Sequence, residues 1–265
     1  ASLLTIAAAG YLASRSIPDT PAVDPELRIN WNAVQETWRI VGYARKGRSV
    51  FLAVIGISWF WFFGSVMTLQ IPAYTLDILN GNEEVTTILL VAFAVGVGIG
   101  ALLCERLSGH RIELGLVPLG SLGLTIVAID LYFAQTTKHP LVVTTLGELL
   151  ARPGSIRVLV DLALLGAFGG LYSVPLYAMI QERANRQHLS RIIAANNIIN
   201  SLFIVSAAGM ALTLLNAGLT IPELFLALAC LNGVVAARIF IGVPEFAQRF
   251  FSWIRGKAGN AAERD

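Results

Sequence analysis

The segment that most constrains this chain runs from Val91 to Gly120 and reads VAFAVGVGIGALLCERLSGHRIELGLVPLG. Two apolar runs meet there at a short charged loop, CERLSGHRIE, and each run continues well beyond the length that a soluble core element needs. A helix crosses the hydrocarbon core of a bilayer with about 20 apolar residues. The segment therefore predicts two transmembrane helices joined by a tight polar turn.

The composition of the whole chain agrees with a membrane location. Of the 265 residues, 55% are hydrophobic and 14% are charged, whereas soluble domains carry about a quarter charged residues. The formal net charge of +2 is too small to indicate a nucleic-acid partner. Cys104 and Cys230 each lie within an apolar run, so they predict neither a disulfide framework nor a metal site.

Six transmembrane helices are predicted from the apolar runs, and their length favours helices over strands. We expect them at Val50–Leu76, Val85–Leu107, Ile112–Ala134, Ser155–Gln181, Arg191–Ala217 and Ile221–Val243. Residues 1–13 are apolar but too short for a full crossing, and they lack the basic start of a signal peptide. We therefore predict that residues 1–13 are the end of a preceding transmembrane helix, and that the chain is part of a longer protein.

The two polar segments that flank the six runs have different patterns. Residues 14–49 begin with three prolines and continue with apolar residues at helical spacing, namely Trp31, Val34, Trp38 and Val41. This pattern predicts a linker between two bundles with an amphipathic helix capped by Asn30, and lipid or partner docking is the alternative. Residues 244–265 predict an interfacial helix followed by a tail.

The positive charges predict the orientation of the chain. Sixteen of the nineteen Lys and Arg residues lie on the side of Arg106, and only Lys138, Arg152 and Arg157 lie on the opposite side. Because cytoplasmic loops are enriched in Lys and Arg, the linker, the Arg106 loop and the C-terminus are predicted to be cytoplasmic.

Glycines and prolines interrupt the first and the fourth predicted spans at corresponding positions. The residues are Gly56, Gly64 and Pro72 in the first span, and Gly166, Gly169, Gly170 and Pro175 in the fourth. Such interruptions in two halves of a membrane bundle are typical of helices that line a transport path, although ordinary kinks produce them too. In the second span, Gly96 and Gly100 predict close helix packing rather than a phosphate-binding loop.

Ionisable residues inside apolar spans are costly and therefore indicate either function or pairing. Asp161 and Arg157 lie four residues apart, on one face of the fourth span. Asp161 is a candidate site for a proton, a cation or a substrate ammonium group; the alternative is a structural ion pair with Arg157. Asp130, late in the third span, is predicted to be structural.

Further candidate substrate-binding residues are aromatic or amide side chains. The aromatic run SWFWFFG contains Trp59 and Trp61 and precedes Gln70; it either faces lipid or binds an acyl chain. Asparagines in the fifth span either line a wet cavity or bond to a neighbouring helix. The candidates from these two spans and from the region around Pro175 are Trp59, Trp61, Gln70, Tyr172, Tyr177, Asn196, Asn197 and Asn200.

The loop after the second span carries a family resemblance. Gly100, Glu105, Arg106, Gly109 and Arg111 resemble the loop signature of the major facilitator superfamily, with one extra residue in two of the spacings. The segments SRSIPDTPAVDPELRINWN, GISWFWFFG, LLCERLSG and GGLYSVPLYAMIQERANRQHLSRIIAANNI together resemble its lysophospholipid-transporter branch, including versions fused to an acyltransferase and an acyl-ligase.

This resemblance implies an all-helical membrane fold, in which six helices form two inverted three-helix repeats and make up half of a twelve-helix transporter. It implies that lysophospholipid is flipped across the bacterial inner membrane and that the first and fourth spans line the cavity. We predict that the five signature residues form a conformational latch; the alternative is a charged loop that only sets the orientation of the chain. The expected partners are membrane lipids, the substrate, an N-terminal six-helix half and a fused or associated acyltransferase. No cofactor is expected.

Two other functions remain open: transport of a different small molecule, and a membrane anchor for an acyltransferase. A third candidate, the acyltransferase itself, is not supported by the sequence. Such acyltransferases use a His with an Asp five positions later, and the His acts as general base. The fifth residues after His110, His139 and His188 are Gly, Thr and Ile, so the motif is absent and no enzyme is predicted.

Overall fold

The computed structural model describes residues 2–18, 32–109, 112–134, 145–242 and 244–262. The chain divides into two compact units, Ala1–Glu36 and Thr37–Asp265. The first unit contains helix α1 (Ser2–Ser14) and the first residues of helix α2 (Ala33–Arg45). The Asn32 side chain accepts a hydrogen bond from the Gln35 N–H at 3.1 Å and so caps α2, whereas the predicted cap Asn30 lies outside the described residues.

The second unit is built from helices. In chain order they are α3 (Arg48–Asp77), α4 (Glu83–Ser108), α5 (Leu116–Phe133), α6 (Leu146–Ala151), α7 (Ser155–Arg183), a short 3-10 helix (Arg186–His188), α8 (Leu189–Asn216), α9 (Ile221–Gly242) and α10 (Pro244–Ala262).

Six helices in the described part of the chain are long and apolar enough to cross a membrane, and they are α3, α4, α5, α7, α8 and α9. All six predicted spans are therefore confirmed, with ends that differ by a few residues. The largest difference is at the start of α5, where the Glu113 side chain accepts the Gly115 N–H at 3.0 Å in a turn that precedes the helix. The chain is an all-helical, multi-pass membrane protein.

Helices α3 and α7 form the centre of the bundle, because a larger share of each is buried inside the protein than of any other span. The most extensive contacts of the described residues join α4 to α7, α5 to α7, α3 to α8, α5 to α9, α3 to α7 and α3 to α9. The core between them includes Ile57, Phe63, Met67 and Phe225, all almost completely buried. The outer helices α4 and α8 bury a smaller part of their surface in the bundle.

Helices α4 and α7 approach each other through glycines. A Cβ added to Gly100 would overlap the backbone oxygen of Ala167, and one added to Gly170 would lie 2.8 Å from the Val97 oxygen. The predicted packing role of Gly96 and Gly100 is confirmed, since Gly96 meets the backbone of Ala163 in the same way. Small residues permit this approach because no side chain separates the two backbones.

Helix α10 packs on the bundle as well as carrying an amphipathic pattern. Phe246 is only 1% exposed, and the Trp253 indole N–H donates to the Leu107 oxygen at 3.2 Å. Its apolar face is thus partly covered by protein. A helix is present where the sequence predicted an interfacial one, and two of its aromatic side chains, Phe246 and Trp253, contact the bundle.

Candidate functional site

The crossing of α3 and α7 brings the two interrupted helices together. The Tyr172 hydroxyl donates to the Gly56 carbonyl oxygen at 3.2 Å, and a Cβ on Gly56 would lie 3.0 Å from Leu176. A Cβ on Gly169 would lie 2.8 Å from the Phe60 ring. Glycine on one helix therefore accommodates an aromatic residue of the other. Tyr172 is 2% exposed, so this predicted substrate residue lies inside the crossing.

An aromatic pair lies at the open edge of the same crossing. The Trp61 indole N–H donates to the Tyr177 hydroxyl at 3.0 Å, and Trp61 is 42% exposed. A Cβ on Gly64, three residues further along α3, would meet no atom within 4 Å. Both residues were predicted from sequence, and the structure joins them. The pair presents apolar rings with one polar edge, which suits an amphipathic ligand.

Trp59 lies on a different side of α3 and is buried. Its indole N–H donates to the Asn232 side-chain oxygen at 2.7 Å, and the Asn232 amide donates to the Ser121 oxygen at 3.0 Å and to the Thr125 hydroxyl at 2.8 Å. These bonds join α3, α5 and α9. The sequence analysis missed Asn232, although a single amide in the sixth span was a signal for such a contact.

Gln70 is also separate from the aromatic pair. It is half-buried, and it follows Trp61 by nine residues, which at about 100° per helical residue places it on the opposite side of α3. The expected aromatic wall beside Gln70 is therefore not formed at this edge.

Of the three candidate asparagines of α8, two are buried in the bundle and one is exposed. Asn200 accepts a hydrogen bond from the Ser58 hydroxyl at 2.8 Å, which joins α8 to α3. Asn196, one turn earlier, is buried, and its side-chain oxygen has no hydrogen-bond partner within the described ranges. Asn197 is exposed. Of the two alternatives, Asn200 fits a bond to a neighbouring helix, while the open acceptor of Asn196 remains available to a polar ligand or water.

A carboxyl pair and an arginine meet where α3 and α5 end and α7 begins. Arg157 binds both carboxylate oxygens of Asp130, with the Nε–Oδ2 distance at 3.0 Å. Of the two alternatives for Asp161, the ion pair with Arg157 is not formed, because Arg157 extends to the neighbouring helix rather than along its own. Asp161 is 4% exposed, and its Oδ2 has no hydrogen-bond partner in the described part of the chain.

The Tyr74 hydroxyl, from α3, is buried and also lacks a hydrogen-bond partner among the described residues. The fourth span thus supplies a buried acceptor beside an ion pair, which is a suitable environment for a proton or a ligand cation.

The predicted latch residues lie around the end of α4. Gly100 is part of the α4–α7 contact, and Gly109 ends α4 with a left-handed φ of 61°, its N–H bonded to the Glu105 oxygen. Glu105 lines a cavity of about 430 Å³ together with Glu113 and Pro175. Arg106 is exposed, and Arg111 lies outside the described residues.

No protein family, curated protein or solved structure matches this chain. Its class is therefore defined by the fold and the crossing of α3 and α7: a multi-pass helical membrane protein with an exposed aromatic pair between two glycine- and proline-interrupted helices.

Proposed function

We propose that this chain is the C-terminal six-helix half of a secondary transporter of the major facilitator type, and that it moves lysophospholipid across the bacterial inner membrane by alternating access. The observation that carries the proposal is the Trp61–Tyr177 pair at the open edge of the α3–α7 crossing. Helices interrupted by Gly and Pro at corresponding positions commonly line the substrate path of such transporters.

The packing pattern supports two inverted three-helix repeats. Exchanging α3 with α7, α4 with α8 and α5 with α9 converts the α4–α7 contact into the α8–α3 contact, and the α5–α7 contact into the α9–α3 contact. The α3–α7 and α5–α9 contacts are unchanged by this exchange, because the helices of each pair remain in contact when their repeats are swapped. Because successive spans alternate in direction, α3 and α7 run oppositely, as the first helices of inverted repeats do.

The two polar regions of α7 suit different parts of an amphiphile. Tyr177 follows Asp161 by sixteen residues, which corresponds to roughly 24 Å along a helix at 1.5 Å per residue. One headgroup cannot contact both side chains at once. In the proposed cycle, Asp161 receives the ammonium group at one end of the path, and the Trp61–Tyr177 pair contacts the acyl chain or the headgroup at a later stage.

The distribution of Lys and Arg supports a cytoplasmic end at Arg106, where the latch would act. In the proposed latch, Arg106 and Glu105 at the end of α4 hold the loop against the neighbouring bundle in one state of the cycle. Replacing Arg106 with Ala should then change the balance between inward-open and outward-open states. If the balance and the transport rate were both unchanged, the positive charges of this loop would only set the orientation of the chain in the membrane.

The test of the function is the movement of fluorescent lysophosphatidylethanolamine in vesicles that contain the intact, full-length protein. We expect protein-dependent loss of the label from the outer leaflet, and no comparable movement of a two-chain phosphatidylethanolamine. Vesicles without protein provide the background rate. Absence of protein-dependent movement would contradict transport of this lipid and favour a membrane anchor for an acyltransferase.

A further inference from the structure

A basic pocket lies at the end of the bundle where α3 begins and α7 ends. Its volume is about 320 Å³, and its polar lining includes Tyr43, Lys46, Arg183, Asn185 and His188. Pockets that bind small ligands begin at about 300 Å³, so the space is sufficient for a compact headgroup. None of these side chains belongs to the α3–α7 crossing or to the latch.

The Tyr43 side chain contacts the positively charged residues at this pocket. Arg191 donates to the Tyr43 hydroxyl at 3.0 Å, with its guanidinium carbon 5.2 Å from the ring centre. The Lys46 ammonium lies 4.9 Å from the same ring centre, and the His188 ring lies 4.4 Å away. A cation–π contact positions a cation but leaves most of its N–H donors unused.

Positive charge is in excess at the pocket. Arg183 is bound by Glu245 at 2.7 and 3.1 Å, and the same carboxylate also contacts Arg249 at 3.3 Å. In the described part of the chain, no carboxylate forms an ion pair with Lys46 or Arg191. The His188 Nδ1 is buried there without a hydrogen-bond partner. The pocket thus offers the Lys46 ammonium donors and one open imidazole nitrogen, with the Arg191 guanidinium beside it on Tyr43.

The position of the pocket indicates which kind of anion it binds. It lies at the ends of transmembrane helices, which is the depth of the lipid headgroups, and Val50 and Ile192 add apolar lining. A phosphate offers several charged acceptor oxygens, and Arg and Lys are its usual protein ligands. We propose that this pocket binds the phosphate group of an anionic phospholipid headgroup, at a site separate from the transport path.

This proposal does not depend on the proposed transport. A helix end lies at headgroup depth in either orientation of the chain, and the pocket residues take no part in the α3–α7 crossing. Binding of an anionic lipid can therefore be present in a protein that moves no lysophospholipid, and absent from one that does.

The test measures the affinity of the purified, full-length protein in a neutral detergent for dihexanoyl phosphatidic acid, with retention of native-like helicity as the folding check. Lys46→Gln should weaken binding roughly tenfold, as expected for the loss of one charge-assisted hydrogen bond. Lys46→Arg should keep the affinity within about threefold. The matched control is Arg186→Gln, which removes an exposed charge from the same end without touching the pocket and should leave the affinity unchanged.

Three results would overturn the proposal. Equal affinity of the wild type and Lys46→Gln would show that the pocket does not bind the lipid. Equal losses of affinity in Lys46→Gln and Arg186→Gln would mean that the lipid is attracted by the overall positive charge at this end and not by the pocket. Displacement of the lipid by inorganic phosphate at equal concentration would assign the site to soluble phosphate rather than to a lipid headgroup.

Discussion

The indole N–H of Trp61 donates a hydrogen bond to the Tyr177 hydroxyl across the crossing of α3 and α7, at a distance of 3.0 Å. If this pair contacts the substrate, Tyr177→Phe should slow lysophospholipid movement about threefold to tenfold, because the ring remains but the polar edge is lost. Side-chain hydrogen bonds between membrane helices contribute on average about 0.6 kcal/mol, so the fold should remain intact. The measurement is the initial rate of movement in vesicles.

Tyr172→Phe is the matched control for this change. It removes another hydroxyl from α7, one that is buried and bonded to the Gly56 backbone oxygen. We expect a small loss of thermal stability and an unchanged initial rate of lysophospholipid movement. The role of the pair would be refuted if the Tyr172 variant slowed transport as much as the Tyr177 variant.

The α4–α7 contact makes a stability prediction that is independent of function. In Gly100→Ala, the new Cβ would overlap the Ala167 backbone, so the helices must separate. Overpacking of this kind typically costs about 1–3 kcal/mol, and here no flexible side chain can move aside. A lowered unfolding temperature in detergent is the expected result.

Gly98→Ala provides the comparison, since a Cβ at Gly98 meets no atom within 4 Å. This variant should unfold at the wild-type temperature or slightly above it, because Ala favours helix more than Gly does. Equal unfolding temperatures for the two alanine variants would mean that α4 and α7 do not pack through Gly100.

The contact of α10 with the end of α7 should depend on pH. Hydrogen bonds from Arg183 hold the pKa of Glu245 below its ordinary value of 4.5. A lowered pKa means that the folded state favours the ionised form, so this stabilisation is complete above about pH 4.5 and is lost as the pH falls through the lowered pKa. We expect the unfolding temperature of the wild type to approach that of Glu245→Gln below that pKa.

The size of this effect should be small, because partly exposed ion pairs contribute at most about 1 kcal/mol and are weakened by salt. Repeating the measurement in high salt should therefore reduce the difference between the wild type and Glu245→Gln near pH 7. A difference that grew as the pH fell would contradict the assigned role of the Arg183–Glu245 pair.

The apolar lengths of the chain were enough to predict all six membrane helices, because the bilayer sets one length for every span. Small residues at a spacing of four were enough to predict the packing at Gly96 and Gly100. Both signals are local, so each can be read along a single segment.

The partners of polar side chains could not be predicted in the same way. Helical spacing places Arg157 and Asp161 on one face, but the guanidinium reaches Asp130 on α5, and no local pattern specifies which helix lies beside it. Trp59 and Trp61 look equivalent in the aromatic run, yet one is bonded to the buried Asn232 and the other to Tyr177 at an exposed edge. Such partners depend on the packing order of the helices.

The two carboxyl groups near Arg157 should respond differently to neutral substitution. In Asp130→Asn, Arg157 loses the carboxylate that binds it through two nitrogens, but the two side chains are 47% and 42% exposed, so we expect only a small loss of thermal stability. In Asp161→Asn, the amide keeps the shape of the carboxyl group and leaves the Arg157–Asp130 pair in place, so the fold should remain. Transport should nevertheless fall at least tenfold if Asp161 binds a proton or the substrate ammonium group.

The comparison requires both the unfolding temperature and the transport rate of each variant, normalised to the amount of folded protein. Because the amide preserves the shape of the Asp161 side chain, a selective loss of transport would separate its acidic function from its packing. Arg157→Gln should behave like Asp130→Asn, since it removes the other half of the same ion pair. Equal losses of transport per folded molecule in Asp130→Asn and Asp161→Asn, or unfolding of both, would exclude Asp161 from the substrate path.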